Sequence, residues 1–430
     1  MAVKLLSQYK RPLLILVLFL NIFFSATLVG TVRTINQSWA ILASTGSVTY
    51  PSDPGEEANL HVLRFESKDT LGTLKSNAEF IVDITDMYMA GQWQTGLPEQ
   101  IHAMDPSKKV IVYRDFMNIK ENLSEWELAL ENRWILLDEN GDYVYARNHP
   151  NNKVADRGSP SFRGYMASWI RSQIEMGFNG IFCDNSIQVY PNTQWTISAR
   201  PINPRTGKLY TDDEWLEDCL GFINYMKREV PEALLICNGM PFNGRAFYND
   251  ESKLVYFLLN SEMDGKFMEG AFNNFDGVYS EEDWKKSVDC IIWFQENYLR
   301  DTGRYLVIWS QAKAIPEEFT QDQMALFIFA SSLLAVSFDN QNYISLHGYM
   351  DSKLAEELFN LELGMPIEDY CIIEGTHVYK RDLTKIKVLV NPTSEIYTVT
   401  LDGTYLDLDG AFVSSVTLTG YTGTLLRAVG

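Results

Sequence analysis

Cysteine and histidine are scarce in this chain. There are five of each among 430 residues. The cysteines are odd in number and widely spaced, with no CxxC pair, so a disulfide framework is not expected. The histidines form no HxH or HxxxH pair, which argues against a zinc site. No GxSxG is present, which sets aside a serine hydrolase built on a nucleophile elbow. GxGxxG and GxxxxGKS are also missing, so no strand leads into a phosphate-binding turn and no nucleotide cofactor is implied. Basic charge is short as well: 36 Lys and Arg stand against 56 Asp and Glu, for a formal net charge of −20. Nucleic-acid binding needs clustered cations to displace counterions, so a nucleic-acid partner is excluded.

What is present is a folded composition, with 46% hydrophobic and 21% charged residues. The charge is unevenly placed. Residues 1–33 hold Lys4, Lys10, Arg11 and Arg33 and no acid, so the remainder carries 32 basic and 56 acidic residues. Between Pro12 and Val32 there is no charge, a run about long enough to span a bilayer at ~20 residues. Basic residues precede it, which keeps the N-terminus inside and the rest of the chain outside. The segment is read as an uncleaved signal anchor, with a cleaved signal peptide or a buried helix as alternatives. Cleavage after Ala26 would put Phe24 at −3 and cleavage after Gly30 would put Leu28 there, and neither is small. Residues 34–58 read as a stalk. The membrane is thus expected as a partner through this helix alone, and the oligomeric state is left open.

From 59 to 364 short apolar runs alternate with helical stretches. The expected strands are Leu60–Phe65, Phe80–Ile84, Lys109–Tyr113, Gly180–Cys183, Leu234–Cys237, Gly265–Glu269, Tyr305–Trp309 and Ala335–Phe338. Ser159-Pro160, Thr211-x-x-Glu214 and Ser280-x-x-Asp283 mark helix starts. Asn140-Gly141 between two apolar segments predicts a hairpin. Eight strands with crossovers, apolar on both faces, describe a (β/α)8 TIM barrel. A doubly wound sheet is the alternative. Residues 365–430 change to short alternating strands and turns, read as a small all-β sandwich domain.

In such barrels function gathers at the C-terminal strand ends. The polar residues expected there are Arg64, Asp83 with Asp86, Arg114 with Asp115, Asp184 with Asn185, Asn238, Asp264 with Glu269, Trp309, and Asp339 with Asn340, and Asp156 lies near the third loop. Carboxylates dominate. Cleavage of a glycosidic bond needs one carboxylic acid to protonate the leaving oxygen and a second carboxylate as nucleophile or base. Trp309 and Trp93 offer faces on which a sugar ring could stack, although either could equally be core. Each acid also has a plainer reading, as a helix cap, an ion-pair partner or a surface charge.

MGFNGIFCDNS at 176–186, ICNG at 236–239, DGKFMEG at 264–270 and VYKRDLTKIKVLVNPT at 378–393 carry a family resemblance. Together they resemble the hypothetical glycosyl hydrolases and the endo-α-1,4-polygalactosaminidase group. They are more distantly similar to the α-galactosidase-type barrels. The resemblance spans roughly residues 60–430. It departs at Asn179, where the family often has Asp, and at Ile386, where the family has Gly. It implies a glycosidase with Asp184 as nucleophile or base and Glu269 as general acid. Asp115, Asn185, Asn238, Trp309, Asp339, Asp83 and Arg114 would then contact a carbohydrate substrate, with no metal and no cofactor. The competing expectation is a non-catalytic glycan-binding or structural protein on the same barrel. A metal-dependent deacetylase or phosphatase would need histidines at the strand ends, and only His61 lies in an expected barrel strand.

Overall fold

The computed structural model describes residues 60–65, 85–194, 196–239, 251–274, 277–311, 319–337, 341–347 and 352–429. The apolar segment 12–32, the stalk and Asp83 lie outside these residues, as do Phe80–Ile84, Asp339 and Asn340. Among the described residues no helix is long and apolar enough to cross a membrane.

Eight parallel strands close into a barrel: β1 (Leu60–Phe65), β2 (Met87–Ala90), β3 (Lys109–Asp115), β4 (Gly180–Asp184), β5 (Leu234–Cys237), β6 (Gly265–Glu269), β7 (Tyr305–Gln311) and β8 (Gln341–His347). They follow one another around the ring in chain order, and β8 pairs with β1. Helices follow β2 to β8 in turn: α1 (Leu97–Met104), α2 (Pro160–Glu175), α3 (Asp212–Glu229), α4 (Glu251–Asn260), α5 (Glu281–Phe294), α6 (Gln321–Ala335) and α7 (Lys353–Phe359). The expected caps are in place. Ser159 Oγ accepts from the Phe162 amide, Thr211 and Glu214 form a reciprocal capping box, and Ser280 accepts from the Asp283 amide. Each satisfies amides that a helix start leaves without an intrahelical partner.

Inward-facing residues alternate with outward ones along each strand. Met87, Met89, Ile111, Phe182, Ile236, Phe267, Val307, Trp309 and Tyr343 fill the lumen. The strands pack tightly where they begin. A Cβ on Gly180 would lie 2.2 Å from the Leu234 carbonyl oxygen, so only glycine lets β4 and β5 pair at that register. Asn179, the departure from the family pattern, sits at this same end. Its Oδ1 accepts from the Val110 amide at 2.7 Å, tying β4 to β3 away from the strand exits.

Two strands differ from expectation. The second is Met87–Ala90, so Asp86 precedes it and pairs with Lys108 at the N-terminal end of the barrel. The eighth is Gln341–His347, not Ala335–Phe338. Helix α6 is buried along nearly its whole length from Met324 to Ala335, so the apolar run at 335 belongs to its end. The true strand carries Gln341, Asn342 and Ser345, which mask its apolar character in the sequence. Asp339 therefore comes before the last strand and does not terminate it. Asp264 likewise precedes β6. It accepts from Lys227 Nζ and the Leu235 amide, each at 2.8 Å.

An insertion after β3 forms a small antiparallel sheet of Asn118–Lys120, His149–Val154 and Tyr145–Ala146. The expected turn at Asn140-Gly141 is present, with Gly141 at φ +85° and its amide bonded to the Asp138 carbonyl.

The C-terminal strands are β9 (Cys371–Ile372), β10 (Tyr379–Asp382), β11 (Ile386–Asn391), β12 (Tyr397–Leu406), β13 (Phe412–Leu418) and β14 (Thr422–Ala428). They form one six-stranded antiparallel sheet rather than the expected sandwich. The reason lies in β14, which sits between β11 and β12 and joins what would have been two layers. Asp402-Gly403 does not turn the chain; β12 runs through it with a shift in register. The sheet encloses Val378, Leu389, Val399, Leu418 and Leu426 as its own core. It packs against α6. A Cβ on Gly423 would meet the Leu326 carbonyl oxygen at 2.5 Å. Buried Arg381 donates through one guanidinium nitrogen to the carbonyls of Leu333, Leu334 and Val336, at the open end of the helix.

Candidate active site

The strand exits of β3 to β7 open into a cavity of about 1000 Å³. Of the expected residues, Asp184, Glu269, Asp115, Asn185, Asn238, Trp309, Trp93 and Arg114 all line it, so eight come together. The parallel register places Asp115 directly beside Asp184. Glu269 stands in the same register as Trp309.

Asn238 ties the two principal carboxylates. Its Nδ2 donates to Oδ1 of Asp184 at 3.0 Å and to Oε2 of Glu269 at 2.8 Å. Its backbone is held on both sides. The Asn238 amide donates to the Cys183 carbonyl, and its own carbonyl accepts from the amides of Ser186 and Ile187 and from Ser186 Oγ. A donor fixed by so many backbone bonds presents its side chain in one orientation.

Asp184 has further partners. The Tyr113 hydroxyl donates to its Oδ2 at 2.7 Å, and the Asn185 amide donates to its Oδ1 at 2.9 Å. Asn185 lies in the left-handed region at φ +52°, a conformation that asparagine tolerates better than most side chains. Asp115 accepts from the amides of Met117 and Asn118, from Asn118 Nδ2 and from Asn185 Nδ2. It thereby orders the loop under Asp184.

Burial sets the protonation of this group. Burial pushes the Asp115 carboxyl up to about 6, and the neighbouring Asp184 charge adds to the effect against the opposing hydrogen bonds. Burial also raises Glu269. Asp184 acts in the same direction, while Asn238 and the Lys266 cation oppose it. The Tyr113 hydroxyl is pushed up by burial and by the surrounding acids, so it stays a proton donor. Lys266 points out of the lumen behind β6, fully buried, with Nζ on the Gly239 carbonyl at 2.9 Å. Burial brings its ammonium down to about 7.

Arg114 touches the cavity wall, but its guanidinium is engaged elsewhere. It lies between inward-facing Tyr113 and Asp115 and so points outward. Its guanidinium pairs with buried Glu125 at 2.6 Å and covers the Trp169 ring of α2. Tyr165 also donates to Glu125, so this is a packed structural pair. Asp156, near the same loop, is likewise taken up by Arg205 and Tyr210. Tyr113 and Lys266 escaped the sequence reading. The two-residue alternation back from Asp115 points to Tyr113, and a lysine inside an apolar strand beside Glu269 points to Lys266. Among the described residues, no group of three or more His, Cys, Asp or Glu is arranged to hold a metal ion.

A closed parallel barrel with paired acids at its strand exits, followed by an antiparallel sheet, defines a barrel of the glycoside-hydrolase type. The profile of hypothetical glycosyl hydrolase family 15 matches residues 102–387, and the chain belongs to that family. No curated protein matches the sequence. Among solved structures, the fold is similar to the trehalulose synthase MutB from Pseudomonas mesoacidophila MX-45. That match has 9% identity and a TM-score of 0.55, covering 86% of this chain and 98% of that one. It is also similar to an alpha-amylase from Lactobacillus plantarum, at 11% identity and TM-score 0.52, covering 86% and 99%. The trehalose-6-phosphate hydrolase of Bacillus licheniformis matches at 10% identity and TM-score 0.53, again covering 86% and 99%. At these identities the likeness concerns the fold alone.

Proposed function

We propose that the protein is a glycoside hydrolase acting on an extracellular poly- or oligosaccharide with retention of configuration. The observation that carries this reading is the single nitrogen shared by Asp184 and Glu269. Two oxygens on one donor are closer than the roughly 6.5–9.5 Å that an inverting pair keeps open for water, and near the roughly 5–5.5 Å of retaining pairs. Asp184, held by Tyr113, Asn238 and its neighbouring amide, attacks the anomeric carbon as a carboxylate. Glu269, its carboxyl raised by burial, gives its proton to the departing glycosidic oxygen. A covalent glycosyl ester on Asp184 results. Glu269, now a carboxylate, takes a proton from water, which opens the ester and restores both groups.

A non-catalytic glycan-binding protein would have no need to bring two acids onto one donor. The external location rests on the charge pattern around residues 12–32. The test is direct. Asp184→Asn and Glu269→Gln should each lower turnover by roughly 10²–10⁴-fold, with melting temperatures close to that of the native chain. Unchanged turnover in both would sink the assignment.

A further inference from the structure

The cavity extends well beyond the carboxylates, across the barrel mouth to the exit of β2 and the insertion after β3. At that far edge stands Trp93, 62% exposed, while the other lumen tryptophan, Trp309, is buried. An indole left largely in water forgoes the stabilisation that burying so large a ring would bring. This one is nevertheless held in place. Gly91 and Gln94 close a turn around it: the Gln94 amide donates to the Gly91 carbonyl at 3.0 Å, and the Gly91 amide donates to buried Gln94 Oε1 at 2.7 Å. The indole lies against Gly91 so closely that a Cβ there would sit 2.4 Å from a ring carbon. The other wall of this edge is the insertion strand His149–Val154 with the residue before it, and together they bring Asn148, Asn151 and Asn152 to the same cavity. These amides are neutral donors and acceptors suited to hydroxyl groups.

We infer that Trp93 and the Asn148–Asn152 edge form a second sugar subsite, on the side of the cleaved bond away from the leaving group. The inference rests on the hydrolase reading above. The side follows from topology. The proton donor Glu269 ends β6, and β2 stands diametrically opposite it in the ring of eight. The leaving group departs toward the acid, so the chain on the glycone side runs toward β2. A flat apolar ring face packs against a pyranose face, and the asparagine amides bind its equatorial hydroxyls. The substrate class is therefore a neutral chain of at least two sugars on the glycone side, and single-sugar glycosides are the poorer substrates.

The test uses the full chain in mild detergent with nitrophenyl glycosides of neutral hexoses, carrying one sugar or two. In the native chain the second sugar should raise kcat/KM by roughly tenfold or more, because binding energy from a remote group is used at the reacting centre. Trp93→Ala should bring that ratio to within about twofold of unity, and Trp93→Phe, which keeps a ring face, should retain most of it. The same ratio in Trp93→Ala as in the native chain overturns the subsite, and so does a native chain that gains nothing from the second sugar. Failure of the parent reading shows itself differently: Asp184→Asn would then turn over the one-sugar substrate as fast as the native chain.

Discussion

Asp184 and Glu269, on strands two apart in the barrel, accept hydrogen bonds from one nitrogen, Nδ2 of Asn238 at the exit of the strand between them. The amide sets their spacing and keeps two acids together that would otherwise repel. Asn238→Ala should lower kcat by about 10²-fold or more, since a small misplacement of reacting groups is costly. The melting temperature should move little, because the backbone bonds of residue 238 remain. Steady-state kinetics beside thermal melting separates the two effects.

The donor shared by the two carboxylates predicts the stereochemical course. Proton NMR of the first product formed should show the anomer of the substrate, before mutarotation mixes the two. An inverted first product would mean that water, not Asp184, makes the attack.

Lys266 couples stability to activity through pH. Its ammonium titrates at about 7 in the folded protein, against roughly 10.4 in an unfolded chain. Between these values the unfolded chain binds more protons, so folding becomes less favourable as pH falls from 10 to 7, and the full penalty applies below 7. Lys266→Met should therefore melt above the native chain at pH 6, with the gap closing by pH 10. The Lys266 cation also holds the Glu269 carboxyl down. Its removal should move the basic limb of the kcat/KM profile to higher pH.

Arg114 and Glu125 predict the opposite pattern. Both are nearly fully buried, and Glu125→Ala leaves a guanidinium without its partner. The loss should be about 3–5 kcal/mol in chemical unfolding, as for other broken buried pairs. The affected property is stability, whereas Asn238→Ala affects turnover.

Much of the barrel is legible in the sequence. Gly180–Cys183, Leu234–Cys237 and Gly265–Glu269 are short apolar runs bounded by glycine and polar residues, and the observed strands begin where those runs begin. The capping residues Ser159, Thr211 and Ser280 act within one turn, so their pattern is local. Strand β8 was missed because Gln341, Asn342 and Ser345 are polar residues that the barrel buries or pairs. Helix α6 is apolar on nearly every face, so the apolar run at its end reads as a strand in the sequence. The place of strand β14 between β11 and β12 is a long-range pairing with no local mark in the sequence.

The sequence by itself determined the alternation of strands and helices, the change of texture after Gly364, and which strand ends carry acids. These follow from periodicities of two and 3.6 residues and from caps, all of them interactions between near neighbours in the chain. The tertiary structure decided the rest. Arg114 and Asp115 are adjacent, yet one residue of pleat sends the first to Glu125 and the second toward Asp184. Asp184, Asn238 and Glu269 lie far apart in the chain and meet only because the barrel closes with its strands in register. A shared hydrogen bond is a matter of a few tenths of an ångström, and only the packed fold sets distances that fine.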